Sequence, residues 1–394
     1  MMAQAIITRK SGNSGEATIT FNNAILPGTQ NLVHTTATEL SKARYGIAAT
    51  SVGNYALFGG GRDASYGYSH LDIYNTNAQI ISTIDLSQYR QFLAATSVGD
   101  YAIFGGGIGL NVSSVVDAYD ISLVRTTPTA LSVARYELAA TSIGNYALFG
   151  GGAPTGSTSS AVVDAYDTSL TRTTPTSLSA SRDELAATSI GNYALFGGGY
   201  GSVVVNAYDT SLARTTPTSL SGSSRYDLAA TSVGNYALFG GGHTSAVVDA
   251  YDTSLTRTIP TTLSVARRDL AATTIVDYAL FGGGNSSDAT SSTVVDAYNT
   301  SLMRSTPISL GAARSELAST SINGYAIFAG GIQNASTPLA TADKCFVNAL
   351  LTLFPGTKYK LNDMAVELTS NALQSIDVKI PVNGYLKIQN ADIN

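Results

Sequence analysis

The stretch Asn145-Tyr-Ala-Leu-Phe-Gly-Gly-Gly152, an apolar run ending in three glycines, decides the fold of this chain because near-copies of it recur. They lie at Tyr55–Gly61, Tyr101–Gly107, Tyr193–Gly199, Tyr236–Gly242, Tyr278–Gly284 and Tyr325–Gly331, where Ala329 takes the first glycine place. Successive tyrosines are 46, 45, 47, 43, 42 and 47 residues apart. A period of that size predicts a solenoid or a propeller, built from units too small to bury a core alone.

One repeat reads as four strands. Leu138-Ala-Ala-Thr-Ser-Ile143 is small and apolar, and Gly144-Asn145 is a two-residue hairpin turn whose residues tolerate positive φ. Tyr146-Ala-Leu-Phe149 is apolar on both faces and therefore covered on both, and Gly150–Gly152 ends it. After a variable loop come Ala161-Val-Val-Asp-Ala-Tyr166, an Asx-type turn at Asp167-Thr168-Ser169, and the polar strand Leu170-Thr-Arg-Thr-Thr174, which stops at Pro175. The small residues belong at a crowded centre. The Thr-rich strand belongs at the outer edge, where proline discourages edge pairing. Pro128, Pro217, Pro260 and Pro307 recur at that place. The chain is expected to be all-β, a seven-bladed propeller of four-stranded antiparallel blades.

Four apolar residues, a glycine pair and a tyrosine on the next strand (Tyr74, Tyr119, Tyr166, Tyr208, Tyr251, Tyr298, with Phe346 last) resemble the kelch repeat over residues 32–355. Kelch repeats usually carry an outer-strand tryptophan. This chain has no Trp, and Arg125, Arg172, Arg214, Arg257 and Arg304 stand at the matching place, so the contact between blades must differ. The absence of Trp also disfavours the WD repeat.

The segment Leu32–Thr38 matches the outer-strand phrase without inner strands before it, so it is expected to complete the last blade; Leu350–Phe354 competes for that role. The division this implies is a β extension over 1–25, the propeller over 26–355 closed by strand 32–38, and a second extension over 356–394. Strands are expected at Ala5–Thr8, Ala17–Phe21, Ser375–Ile380 and Tyr385–Ile388, the last two joined by a Pro-Val-Asn-Gly turn. The termini are expected to meet in a small β appendage that anchors the ring to a larger assembly.

In an up-and-down blade the 2–3 and 4–1 loops share one face. The 1–2 turns hardly vary, whereas the 2–3 loops differ in length and content at 62–70, 108–114, 153–160, 200–202, 243–245, 285–293 and 332–341. Each 4–1 loop carries an arginine: Arg44, Arg90, Arg135, Arg182, Arg225, Arg267, Arg314. Two residues later five blades place an acid. On an extended segment i and i+2 point the same way, which predicts the pairs Arg135–Glu137, Arg182–Glu184, Arg225–Asp227, Arg267–Asp269 and Arg314–Glu316. Gly46 and Phe92 break the pattern and would leave Arg44 and Arg90 less neutralised, which makes them candidate ligand contacts. The residues between point the other way and vary: Tyr45, Gln91, Tyr136, Asp183, Tyr226 and Arg268. With Tyr66, Tyr68, Tyr200 and His243 of the 2–3 loops they are the candidate ligand contacts.

Charged residues are 12 % of the chain and its net charge is −5, which argues against a partner held by its phosphates. Residues 1–17 lack a signal-peptide core and no stretch reaches membrane-spanning length, so the expectation is cytosolic synthesis, with release by lysis or in a virion. The single cysteine, Cys345, takes a place that is Ala in most blades. Histidines, acids and cysteine show no metal-ligand spacing, and no GxSxG, HExxH or GxxxxGK[ST] occurs, so neither metal nor cofactor is expected. The chain reads as a non-catalytic module whose variable face binds a protein or a surface glycan. Near-identical blades with one diversified face suit a phage or prophage tail-associated receptor binder. Two alternatives stand beside it: a carbohydrate-active, glycosidase-like propeller, since arginine, tyrosine and carboxylates share one face, and a structural scaffold.

Overall fold

The computed structural model describes residues 2–9, 16–25, 31–348, 352–353, 358–361, 364–367, 374–379 and 388–390, with side chains over 32–347. Two compact units result, Leu32–Val347 and a second formed by Met1–Asn31 with Asn348–Asn394.

The first unit is a seven-bladed β-propeller. Its inner strands Ala48–Val52, Ala94–Val98, Ala139–Ile143, Ala186–Ile190, Ala229–Val233, Ala271–Ile275 and Ala318–Ile322 pack side by side, the seventh against the first. The third blade shows the construction. Inner strand Ala139–Ile143 pairs antiparallel with Tyr146–Gly150, that strand with Val163–Asp167, and that one with Arg172–Thr173. Inner-strand burial alternates, as one covered face requires, while the second strand is buried from Ala147 to Gly150 because blades lie on both of its sides.

Adjacent blades are joined by aromatic rings and glycine. Phe149 meets Tyr166 edge-on at 6.0 Å and 90°, and the buried Tyr166 hydroxyl donates to the Thr129 carbonyl of the preceding blade at 2.7 Å. The next blade's Phe196 lies over Gly150, where an added Cβ would sit 2.7 Å from Cε1. That close approach demands glycine. The seventh blade has Ala329 at this place, and in the cluster it shares with Phe58 the Phe58–Tyr74 pair is drawn in to 5.4 Å and tilted to 71°. Gly150→Ala is therefore expected to cost about 1–3 kcal/mol, read as a lower urea midpoint, with Ala329→Gly far milder. Equal midpoints for Gly150→Ala and the parent would show that Phe196 shifts as Phe58 does without cost.

The outer strand is shorter than the sequence suggests. Only Arg172 and Thr173 pair, because Leu170 turns left-handed (φ 61°) to pack on the core beneath the Asp167 turn. Asp167 Oδ1 accepts from the Ser169 and Thr171 amides at 2.8 and 2.9 Å. Arg172 donates to the Ala130 carbonyl at 2.8 Å, so this arginine makes the interblade contact.

The ring closes through the N-terminal strand. The last blade runs Ala318–Ile322, Tyr325–Ala329, Ala342–Asn348, Asn31–Thr36. The Ala37 and Leu40 amides donate to Ala342 and Ala340 at 2.8 Å, and His34 bonds Asp343. The competing segment instead gives Thr352–Leu353, paired with Met2–Arg9. Cys345 is buried opposite Ala326, and burial pushes its thiol up to about 12.

In the second unit one sheet runs Thr352–Leu353, Met2–Arg9, Glu16–Ile25, Gln374–Lys379, and another runs Met364–Glu367, Lys358–Leu361, Ile388–Asn390. Gln374–Lys379 takes a six-residue register on the N-terminal strand, from Glu16↔Lys379 to Phe21↔Gln374, while Ile388–Asn390 joins the other sheet. The proposed Pro-Val-Asn-Gly turn at 381–384 lies outside the described residues.

Candidate functional site

The 4–1 arginines do not pair with the acids two residues on, and Arg44 and Arg90 are not free. All seven are 0–1 % exposed and turn inward to the third strand of their own blade. Arg44 meets Asp72 at 2.8 Å and Arg225 meets Asp249 at 2.7 Å; Arg90, Arg135, Arg267 and Arg314 bond Asp117, Asp164, Asp296 and Asp343. Arg135 also donates to the Gly151 and Val162 carbonyls, so one guanidinium stitches the glycine turn to the third strand. Burial pulls the guanidinium pKa values of Arg44, Arg90, Arg135, Arg225 and Arg267 down, and the facing aspartate opposes that pull. The fourth blade alone has an amide, Asn206, which accepts from Arg182 at 2.8 Å. Without a carboxylate, burial brings Arg182 down to about 10.

Arginine and acid do not point the same way because the segment is not extended there. Gly46, Phe92, Glu137, Glu184, Asp227, Asp269 and Glu316 all have φ between 51 and 63°. Their backbones form a closed annulus in which each amide donates to the carbonyl of the equivalent residue one blade back. The seven bonds are 2.9–3.2 Å long, from Phe92 to Gly46 around to Gly46 to Glu316. Six non-glycine residues in a conformation that L-residues disfavour are held by this ring. The residue between arginine and annulus pairs with the 2–3 loop of its own blade, as Tyr136 with Ala153 and Gln91 with Ile108.

The annulus rims a well of about 500 Å³ whose wall is one aliphatic residue per blade, Ile47, Leu93, Leu138, Leu185, Leu228, Leu270 and Leu317. Five carboxyls line it, with Arg268 as the cation, 3.9 Å from Asp227 and 3.6 Å from Asp269. Burial, then neighbouring acids, pushes Glu137 and Glu184 up to about 7, and burial with Asp269 does the same to Glu316. Asp227 and Asp269 are also raised, by burial first. A closed ring brings every residue of one repeat position around one axis. That rule makes the carboxylate rim readable from the repeat, yet the i, i+2 argument hid it.

The other candidates fall into three groups on this face. Tyr226 stacks on His243 at 4.7 Å and 13°, with Tyr200, 66 % exposed, tilted against Tyr226 at 5.3 Å. Asp183 accepts from Ser159 at 3.0 Å, and its charge acts on Tyr136 of the preceding blade. On the first blade Tyr45 lies under Arg62 (5.9 Å), Tyr68 donates to Asp63 at 2.5 Å, and Tyr66 stands 71 % exposed. Gln91 and Tyr66 line a cleft with Tyr89, a residue that sequence reasoning passed over. The well and the clefts beside Tyr89 and His243 are all built from 2–3 and 4–1 loops. Among the described residues, no group of three or more His, Cys, Asp or Glu side chains is placed to hold a metal ion.

The fold places the chain among seven-bladed β-propellers with four-stranded antiparallel blades. No protein-family model and no curated protein matches it.

Proposed function

We propose that this chain is a non-catalytic, kelch-like recognition module that binds a target through the face made by its 2–3 and 4–1 loops. The observation that carries the reading is that the central well and the flanking clefts open among these diversified loops, while the opposite 1–2 turns repeat almost unchanged. The carboxyls of the well all come from one repeated position around the ring, whereas glycosidase chemistry needs one distinct pair with separate acid and base or nucleophile roles. The setting we propose is receptor binding at a phage or prophage tail, with a cell-surface target.

The test is binding of the labelled, purified full chain to a panel of intact bacterial cells. A variant with Tyr66, Tyr68, Tyr136 and Tyr226 changed to Ala runs beside one with Asn145, Asn192 and Asn235 of the opposite turns changed to Ala, both checked by circular dichroism. Loss of at least tenfold in the first variant alone is expected. Equal losses in both would remove the variable face from the reading, and no binding by the parent chain would favour the scaffold.

A further inference from the structure

At the entry to the second blade, two clefts of about 370 and about 350 Å³ share Tyr89 and Gly109, the second also reaching the 2–3 loop of the first blade. Each falls in the range of small-molecule sites. Tyr89 occupies the place just before the buried arginine, where the other six blades have Ala43, Ala134, Ser181, Ser224, Ala266 and Ala313. It is thus the one large side chain at that repeat position. Its ring edge is seated on two loop backbones: a Cβ at Gly67 would lie 2.7 Å from Tyr89 Cδ2, and one at Gly109 3.1 Å from Cε2. The ring is immobilised by these two glycines yet remains 38 % exposed between the clefts.

The surroundings are nearly uncharged, with Arg62 as the one charged lining residue. Gln88, Asn111 and Ser114 line one cleft, and Ser65, Gln91 and Arg62 the other. Gln91, which lines the second cleft, has its Oε1 buried without a hydrogen-bond partner. The acidic rim is also interrupted on this side, by Gly46 and Phe92. A phosphorylated or nucleic-acid ligand needs several cations, and the trough offers one. An apolar peptide anchor needs an enclosed apolar pocket, and these clefts are open, with Leu110 87 % exposed and Val112 and Ile108 set among amides and hydroxyls. A flat aromatic face flanked by neutral donors and acceptors matches a pyranose ring, with C–H bonds on its face and hydroxyls on its rim.

We infer that the trough is an oligosaccharide subsite, taking a neutral glycan whose adjacent sugars sit on either side of Tyr89. This deepens the recognition reading and rests on it. The test is binding of the full chain to a printed glycan array, in parallel with binding to cells treated with periodate, which cleaves vicinal diols, or with protease. Tyr89→Ala gives the residue found in four other blades, so its fold is expected to be intact. It is expected to lose at least tenfold in array binding, with Tyr89→Phe retaining most of it and Asn145→Ala, on the opposite 1–2 turns, losing less than twofold. Cell binding abolished by protease, resistant to periodate and without any array signal would overturn the glycan assignment while leaving the recognition face standing. Array binding indifferent to Tyr89→Ala would overturn the trough. Binding to neither cells nor array would overturn both readings.

Discussion

Asp164→Ala is expected to destabilise the propeller by about 3–5 kcal/mol, the usual cost of stranding a buried charge, and Asn206→Asp to stabilise it. Removing Asp164 leaves Arg135 with carbonyl acceptors only and takes the Ser132 amide's partner at 3.0 Å. The fourth blade is a natural trial of the weaker state, since Asn206 already faces Arg182 as a neutral amide. Its site is furnished for a carboxylate. The Ser179 amide donates to Asn206 Oδ1 at 3.1 Å, and in the fifth blade the equivalent Ser221 hydroxyl donates to Asp249 at 2.7 Å. Asn206→Asp exchanges a neutral acceptor for a charge-assisted one, a gain of about 1 kcal/mol. Urea denaturation of the two variants and the parent decides the matter. A less stable Asn206→Asp protein would mean that desolvating the carboxylate outweighs its pairing, and that carbonyls rather than ion pairs hold these arginines.

The second large effect is on pH dependence. Glu137, Glu184 and Glu316 titrate near 7 in the folded ring but near 4.3 in an unfolded chain. Between those values the folded state binds more protons than the unfolded one, so stability falls as pH rises. The loss begins above about pH 4.3 and continues through about pH 7, and Asp227, raised to about 9, extends it upward. The melting temperature is expected to be lower at pH 8.5 than at pH 5.5 by about 5 °C or more. The triple variant Glu137→Gln, Glu184→Gln, Glu316→Gln is expected to flatten that slope, because its side chains do not titrate. Identical melting at the two pH values in the parent would mean that the carboxyls relax into solvent on ionising, with the annulus unaffected.

Both predictions turn on residues whose place in the repeat was visible and whose partners were not. The repeat phrase announced four strands, a glycine turn and seven blades, because strand period and turn chemistry are local properties of a few residues. The diversified face followed from topology and loop lengths, again without tertiary detail. The arginine pairs were read wrongly because extended geometry was assumed where Glu137 and its equivalents are left-handed. Sequence spacing does not report that conformation, since only Gly46 of the seven residues signals it. Tyr89 escaped for a related reason. Its importance lies in Gly67 and Gly109, two loops away from each other in sequence and brought to one ring edge by neighbouring blades.

By itself, then, the sequence determined the strands, the blade count and the face that varies, since each depends on a phrase repeated at a nearly fixed interval. The tertiary structure decided the rest: the closing strand, the aspartate each arginine meets, and the acids gathered around one well. Those outcomes depend on which blade lies beside which and on backbone bonds that exist only once the ring is closed.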